Sequence, residues 1–252
     1  MKIDLGGNEN GRKKMKPDGG KAKPGGENGP ENINAGHRER MRKRLFSSPE
    51  SLADYEILEM LLANAIPRRD VKPFAKALIA KHGNLAEIAN ATPHELMKTP
   101  GIGESAAAAI KTAHAAMTAV LRIRAERGNI IANWNDLTDY VRAKIGGKPA
   151  EEFHVLYLDS KCRLIKDETH STGTLNHASV YPREIVKRVL ELGAASAIIA
   201  HNHPTGDCTP SKADIEITRK VAESLESIDA VLHDHIIAAK GHVLSFKQMG
   251  LI

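Results

Sequence analysis

The hydrophobic pattern of this chain changes its period near Gly128, and that change constrains the fold more than any other feature. Before it, apolar residues recur at helical spacing, at positions 57, 58, 61 and 62 of Asp54–Leu62 and at 71, 74, 78 and 79 of Val71–Lys81. After it, short apolar runs typical of strands, such as Phe153–Leu158 and Ala197–Ala200, alternate with helical segments. The sequence therefore predicts two domains of different class.

Three regions are expected along the chain. Residues 1–36 hold nine of the 20 glycines and three prolines and almost no apolar residues, which predicts a disordered tail. Residues 37–127 are predicted to form a small all-α module, in which Pro67 and Gly83 end the two clearest helices. Residues 128–252 are predicted to form an α/β domain with helices packed on a sheet. Its later elements are predicted as helices over 182–192 and about 210–227 and as strands over 230–238 and 242–246.

Composition excludes several classes of protein. With 252 residues, 41% apolar and 27% charged, the chain is typical of a soluble globular protein. No segment approaches the roughly 18 to 20 apolar residues of a membrane helix, and the N-terminus is polar where a secretory signal would be apolar. We therefore expect a cytoplasmic protein without a membrane partner. Two cysteines, Cys162 and Cys208, are too few for a disulfide scaffold or a four-cysteine metal site and are interpreted as reduced thiols.

The segment His201–Asp214 concentrates possible metal ligands directly after an apolar run. If the chain is extended up to His203, then His201 and His203 project from one face, because residues i and i+2 of a strand do so. Asn202 then points to the opposite face. Pro204 and Gly206 break the strand into a loop, which is a common location for chemistry.

The role of Ser211 and Asp214 depends on where the next helix begins. Ser-x-x-Asp resembles a capping box with Ser211 as the N-cap. Alternatively, Thr209 is the N-cap and Pro210 the first helical residue, which places Ser211 and Asp214 on one face of the first turns. A carboxylate at a helix start facing two imidazoles gives three N/O ligands, the usual number for a catalytic zinc. The simpler interpretation is that the serine and aspartate only cap the helix.

The histidines, serine and aspartate of residues 201–214 resemble the motif of a known family. His-x-His, seven residues and Ser-x-x-Asp form the JAMM (MPN+) metalloprotease motif, which is matched by His201, His203, Ser211 and Asp214. The wider string HNHPTGDCTPSKADIEIT, with Leu-x-Asp-His-Ile at 232–236, resembles the RadC family, which was historically named for DNA repair. The resemblance extends from about residue 36 to residue 252, because the segments 36–42 and 66–72 also resemble the family's N-terminal half.

The resemblance implies a JAMM/MPN domain that hydrolyses a peptide or isopeptide bond in a peptide or protein substrate. His201, His203 and Asp214 would then bind one Zn²⁺ per chain, and Ser211 would help to stabilise the tetrahedral intermediate. JAMM enzymes also use a glutamate near the start of the first core strand as general acid and base. Glu151 is preferred over the adjacent Glu152, because the family pattern reads Glu-x-Phe and Glu151 would share a strand face with Phe153. Glu168 is a more distant candidate.

The helical half carries features that suggest DNA binding. A basic cluster occupies residues 37–44, and Thr99–Ala106, following 93–98, resembles a helix-hairpin-helix. Gly101 and Gly103 would let backbone N–H groups at a helix start approach a phosphate. The alternatives are a solvated helix face and a turn that serves only packing. The rival function is therefore a DNA-binding accessory protein of repair or recombination, with a structural or vestigial metal site.

Two further sets of residues are interpreted without a role in the chemistry. His233 and His235 form a second His-x-His pattern, but they lie inside a predicted strand with no further ligand cluster nearby, which favours a structural role. Cys208 lies in the loop that carries the JAMM motif, where three other ligands are already supplied, and is interpreted as incidental.

Overall fold

The computed structural model of the chain describes residues 31–126, 128–130, 132–173 and 180–252. The α-helices in these ranges are α1 (Glu31–Ser47), α2 (Asp54–Ala65), α3 (Lys72–His82), α4 (Leu85–Asn90), α5 (Pro93–Met97), α6 (Glu104–Glu126), α7 (Trp134–Ile145), α8 (Pro182–Leu192) and α9 (Lys212–Glu226). The strands are β1 (Glu152–Leu158), β2 (Leu164–Thr172), β3 (Ser196–Asn202), β4 (Val231–Ala239) and β5 (His242–Ser245). Of the predicted tail, residues 1–30 lie outside the described ranges, while residues 31–36 are already helical.

The strands described here form one mixed sheet with the order β2-β1-β3-β4-β5. β1 is antiparallel to both β2 and β3, whereas β3 and β4 run parallel and β5 returns antiparallel to β4. A parallel pair needs a crossover connection, and α9 provides it between β3 and β4. The N-terminal helical region followed by an α/β domain confirms the fold class predicted from the sequence.

The helical half has a core of its own. Its fully buried side chains stand on α2, α3, α4 and α5 at the apolar positions of each helix, and they include Leu58, Leu62, Leu78, Ile88 and Leu96. The helices predicted over 54–62 and 71–81 are therefore confirmed as α2 and α3. Most of the predicted apolar face is at least partly buried, but Ile57 is 38% exposed. Burial of each large aliphatic side chain contributes about 1.5 to 3 kcal/mol.

Helix α6 connects the two halves by packing into both cores. Ala106, Ala107 and Ile110 near its start belong to the core of the helical half, whereas Ala125 near its end is buried beneath the sheet. With 23 residues the helix is about 34 Å long, enough to cross a small domain. Neither α6 nor another helix in the described ranges has the length and apolar character needed to cross a bilayer.

The sheet buries both of its faces. One face, which includes Leu156, Ile198 and Ile236, packs on α7 and the end of α6. The other face, which includes Val155 and Ile199, packs on α8 and α9. All seven residues of β3 are buried, as expected for a central strand covered on both sides. Alternation along β1 and β3 therefore decides which helices each side chain meets.

A buried ionic network holds α7 against β1 and β2. Asp167 of β2 accepts hydrogen bonds from the Tyr140 hydroxyl and the Lys144 ammonium group of α7, both at 2.6 Å. Its other carboxylate oxygen lies 3.2 Å from Nδ1 of His154 in β1. Burial raises the pKa of Asp167, but these three partners outweigh burial and lower the pKa to about 2. The carboxylate is therefore charged, and it stabilises the fold, throughout the neutral range.

Asp167→Asn tests this network through the pH dependence of stability. The pKa of an aspartate in the unfolded chain is about 3.9, above its value in the folded protein, so the carboxylate stabilises the fold above about pH 4. This stabilisation is lost as the pH falls towards 2. Urea unfolding is expected to show the wild type about 2 kcal/mol more stable than the variant at pH 7, with the difference vanishing near pH 2.

Glu50→Gln is the matched control, because Glu50 is exposed and its substitution should change stability little at any pH. A constant difference between wild type and Asp167→Asn from pH 7 to pH 2 would contradict the assigned role of the carboxylate.

Candidate metal centre

The end of the central strand β3 supplies the two histidines of the predicted motif. His201 pairs in register with Phe153 of β1 and Ile237 of β4, and the His203 N–H extends the pairing by donating to the Ala238 carbonyl at 2.9 Å. His201 lies on the face covered by α8 and α9, and its ring stacks on Phe153 with an interplanar angle of 14°. The strand geometry therefore turns both histidines towards the start of α9.

Helix α9 begins with Ser211 as its N-cap. The Ser211 hydroxyl accepts a hydrogen bond from the Asp214 N–H at 3.1 Å, and the Asp214 carboxylate accepts one from the Ser211 N–H at 2.7 Å. This reciprocal arrangement is a capping box. The alternative start, with Thr209 as N-cap and Pro210 as the first helical residue, is therefore wrong. The capping box also fixes the Asp214 carboxylate at the helix start, where it faces the strand.

Three donor atoms converge between the strand and the helix. Within the described ranges, His201, His203 and Asp214 form a group whose potential ligand atoms all lie within 4.8 Å of one another. The Nε2 atoms of the two histidines are 2.9 Å apart, and they lie 3.3 Å and 3.6 Å from the two oxygens of Asp214. Asp214 is fully buried, whereas the His203 side chain is 14% exposed. The group is therefore reached from the His203 side.

The hydrogen bonds around these residues fit a cation. Oδ1 of Asp214 is buried without a hydrogen-bond donor in the structure, which is costly for a carboxylate oxygen. Nδ1 of His203 lies 2.6 Å from the Asp207 carbonyl, which only accepts, so this nitrogen carries the proton and Nε2 presents a lone pair. Burial lowers the pKa of His201 to about 4, so this ring is neutral at pH 7. Two imidazole nitrogens and one carboxylate match the donor set of zinc.

His235 stands directly behind His201, which the sequence analysis missed. Its Nε2 lies 2.8 Å from Nδ1 of His201, and its ring packs on Phe246. The residue is fully buried, which lowers its pKa well below the ordinary value and keeps the ring neutral. The prediction that no ligand cluster lies near His235 is therefore wrong, because the residue contacts His201. The predicted structural role is supported, because His235 is not part of the three-residue group.

His233 does not share the position of His235, although the two are spaced as i and i+2. The register between β3 and β4 shifts between Ala197 and Ile198, so that β4 contains one extra residue at His233. Its ring contacts the Cys162 thiol, with Nε2 3.5 Å from Sγ, on the opposite side of the sheet from the triad. Cys208 directs its thiol to the Ile237 carbonyl at 3.7 Å, which supports the interpretation of Cys208 as incidental.

The two adjacent glutamates before Phe153 lie on different faces of the sheet. Glu152 turns away from the triad and pairs with Lys148 at 2.7 Å and with His154 at 3.0 Å. Glu151 directly precedes β1, and alternation continued by one residue predicts that its side chain lies on the face of Phe153 and His201. Glu168, the third candidate, forms a two-bond ion pair with Arg188 at 2.6 and 2.8 Å. The preference for Glu151 therefore stays a prediction.

Asn202, between the two histidines, anchors the segment that carries Glu151. Its side-chain oxygen accepts from the Glu152 N–H at 2.7 Å, and its amide group donates to the carbonyls of Lys148 and Ala150 at 3.2 and 3.0 Å. The Asn202 side chain is fully buried, and these three bonds satisfy all of the polar groups that it presents to residues 148–152. The side chain therefore fixes residues 148–152 relative to the end of β3.

Asn202→Ala is expected to lower the free energy of unfolding by about 1 to 3 kcal/mol, because it removes three hydrogen bonds and leaves a cavity at a fully buried position. Urea unfolding at pH 7 provides the measurement. Asn135→Ala is the matched control, since Asn135 is exposed at the start of α7. Equal effects of the two substitutions would show that the asparagine does not anchor the segment.

The predicted DNA-contact residues have distinct surroundings. Gly101 has φ +89° and packs so closely on the Phe74 ring that an added Cβ would lie 2.3 Å from it. Packing alone therefore explains this glycine. A Cβ at Gly103 would meet nothing within 4 Å, so the backbone just before α6 is accessible. The helix-hairpin-helix interpretation stays a prediction.

Much of the basic cluster in α1 is engaged within the protein. Arg38 donates to the carbonyls of Pro67 and Arg69, and Arg44 forms an ion pair with Glu56 at 2.8 Å. His37 contacts Glu59, while Arg40 and Arg42 are exposed. The number of side chains that can approach a phosphate is therefore smaller than the sequence suggests.

Both halves of the chain match models of known protein families. A family model described as a RadC-like JAB domain matches residues 131–251, and one described as UPF0758 N-terminal matches residues 34–108. A UPF0758 protein of Rhodobacter capsulatus is 42% identical over 213 residues, which cover 84% of this chain and 100% of that protein. The chain belongs to the UPF0758 family. The RadC resemblance noted from residues 201–218 and 232–236 is therefore confirmed.

Membership in the UPF0758 family gives the triad a structural context. The RadC-like JAB domain is a hydrolase-type fold, and residues 131–251 include β3, α9 and the three converging donors. The family matches thus cover the strand and the helix on which the candidate metal centre is built.

Proposed function

We propose that this UPF0758 protein is a zinc-dependent hydrolase of JAMM type that cleaves an amide bond, either a peptide or an isopeptide bond. The observation that carries the proposal is the convergence of two imidazole nitrogens and a buried carboxylate oxygen without a hydrogen-bond donor. JAB domains often bind zinc, and three N/O ligands leave the fourth position of a tetrahedral ion open. His201, His203 and Asp214 would hold the ion.

When bound, zinc acts as a Lewis acid and makes water acidic enough to supply hydroxide near neutral pH. Glu151 is assigned the proton transfers, since alternation continued from β1 predicts that it lies on the face of the triad. It accepts a proton as the nucleophile forms and returns it to the nitrogen of the leaving amine. Asn202 maintains the position of Glu151 by anchoring the backbone on both sides of it.

Ser211 is assigned to the developing oxyanion. Its hydroxyl oxygen accepts the Asp214 N–H, which leaves the hydroxyl proton able to donate to a substrate oxygen. The residue is exposed at the helix start, so a substrate can reach it. A preorganised donor of this kind contributes about 3 to 4 kcal/mol to stabilisation of the transition state. Capping and catalysis are therefore compatible functions of the same side chain.

Glu151→Gln tests the assignment of the proton transfers. We expect the variant to bind zinc as the wild type does and to lose at least about 100-fold in turnover, the usual contribution of a general base. Turnover is measured by mass spectrometry on a library of peptides and lysine-linked isopeptides, with the zinc-loaded full chain. Glu152→Gln is the matched control and should retain turnover, because Glu152 lies on the other face.

A Glu151→Gln variant with full turnover would eliminate this glutamate as the base. Wild-type protein that binds zinc but cleaves no amide in the library would count against the hydrolase itself.

DNA binding by the helical half is a second candidate function, supported by the accessible backbone at Gly103 and by the exposed Arg40 and Arg42. If it occurs, duplex affinity should fall steeply between 50 and 200 mM salt, by about tenfold for each pair of phosphates neutralised. Fluorescence anisotropy of a labelled duplex measures this. Arg40→Ala with Arg42→Ala should reduce the salt dependence, whereas Lys187→Ala, in the other half, should not. If the duplex does not bind at 50 mM salt, DNA binding is not a function of the helical half.

A further inference from the structure

A chain of hydrogen bonds extends from His201 away from the triad. Nδ1 of His201 lies 2.8 Å from Nε2 of His235, and Nδ1 of His235 lies 2.6 Å from the hydroxyl oxygen of Thr218. The Thr218 hydroxyl donates in turn to the backbone carbonyl of Asp214. All four residues are buried, so water does not compete for these bonds. The chain therefore connects one candidate ligand, through β4, to the helix that carries another.

The direction of each bond follows from its acceptor. A backbone carbonyl cannot donate, so the Thr218 proton points to Asp214, and the hydroxyl lone pair accepts the Nδ1 proton of His235. Nδ1 of His235 therefore carries the ring proton, and Nε2 of His235 accepts the Nδ1 proton of His201. With Nδ1 committed to this bond, His201 has Nε2 left for a metal ion. That nitrogen is the one that faces His203 and Asp214.

We propose that His235 is a positioning residue that holds His201 in the Nδ1–H tautomer and so directs the Nε2 lone pair into the metal centre. The proposal deepens the proposed function, because it concerns the same site. It does not depend on turnover, and the tautomer is a property of the metal-free protein. His203 also carries a proton on Nδ1, which it donates to the Asp207 carbonyl.

His235→Phe removes the acceptor while it keeps a buried ring of similar size against Phe246. Without the acceptor, the His201 proton is expected to move in part to Nε2, where it competes with a metal ion. Loss of such an outer partner typically lowers metal affinity by about 10- to 100-fold. His235→Gln restores an acceptor oxygen, so its zinc affinity should lie within a few-fold of the wild-type value.

Two measurements on the full chain test the proposal. Correlation of imidazole ¹⁵N and ¹H resonances in the metal-free protein reports the tautomer of each histidine. We expect Nδ1–H for His201 in the wild type, a shift towards Nε2–H in His235→Phe, and no change for His203 in either protein. Competition with a chromophoric chelator measures zinc affinity. His233→Phe is the matched control, since His233 contacts Cys162 and should leave both readouts unchanged.

The proposal is overturned if His201 is Nε2–H in the wild type, or if His235→Phe keeps the wild-type tautomer and zinc affinity. Equal losses in His235→Gln and His235→Phe would also overturn it, because the acceptor would then not matter. If His235→Phe does not fold, Thr218→Val removes the partner of His235 and should shift His201 in the same direction. A wild type with the predicted tautomer but no zinc affinity would contradict the proposed function and leave the tautomer assignment standing.

Discussion

The pairing of β3 with β1 and β4 determines the positions of the two candidate histidine ligands and of Asn202 between them. Because β3 is bonded on both sides and all its residues are buried, its register cannot slip without moving apolar residues out of the core. That register places His201 on the α9 face and Asn202 on the α7 side. Continued by one residue before β1, the same alternation predicts that Glu151 and Glu152 lie on opposite faces. The strand register thus places His201 and Asn202, while the capping box of α9 places Asp214.

The energetics of the centre explain why a cation suits it. A buried carboxylate oxygen without a donor, beside two imidazole nitrogens of which one is confined by burial to the neutral form, is an expensive arrangement in a water-poor site. A divalent ion would bind these lone pairs and so remove the free-energy cost of leaving them without a partner. The neighbouring polar groups have hydrogen-bond partners, including those of the Ser211–Asp214 capping box and the Thr218 hydroxyl. Within this site, the buried oxygen atom without a hydrogen-bond donor therefore lies where the three potential ligands meet.

Local patterns predicted α2, α3, α8 and α9 and the strands β1, β3, β4 and β5, because each depends on spacing within a few residues. The triad was predicted from spacing together with the resemblance to the JAMM motif, and α7 was not predicted. Edge strand β2 was not predicted, since its mixed exposure and charged residues give it no apolar alternation. The two starts of α9 could not be separated by sequence, because both Ser211 and Thr209 are good N-caps; the competing bonds of Asp214 decide between them. His235 was missed because its partner is 34 residues away in the chain and the bulge at His233 hides its face.

Elemental mass spectrometry of purified protein measures whether His201, His203 and Asp214 bind zinc, as proposed. We expect about one zinc ion per wild-type chain, lost in Asp214→Asn, which keeps the capping geometry but removes the charge. Asp207→Asn, a substitution of an exposed carboxylate in the same loop, should retain the metal. Wild-type protein without zinc, even after incubation with the ion, would show that these three residues do not form a zinc site.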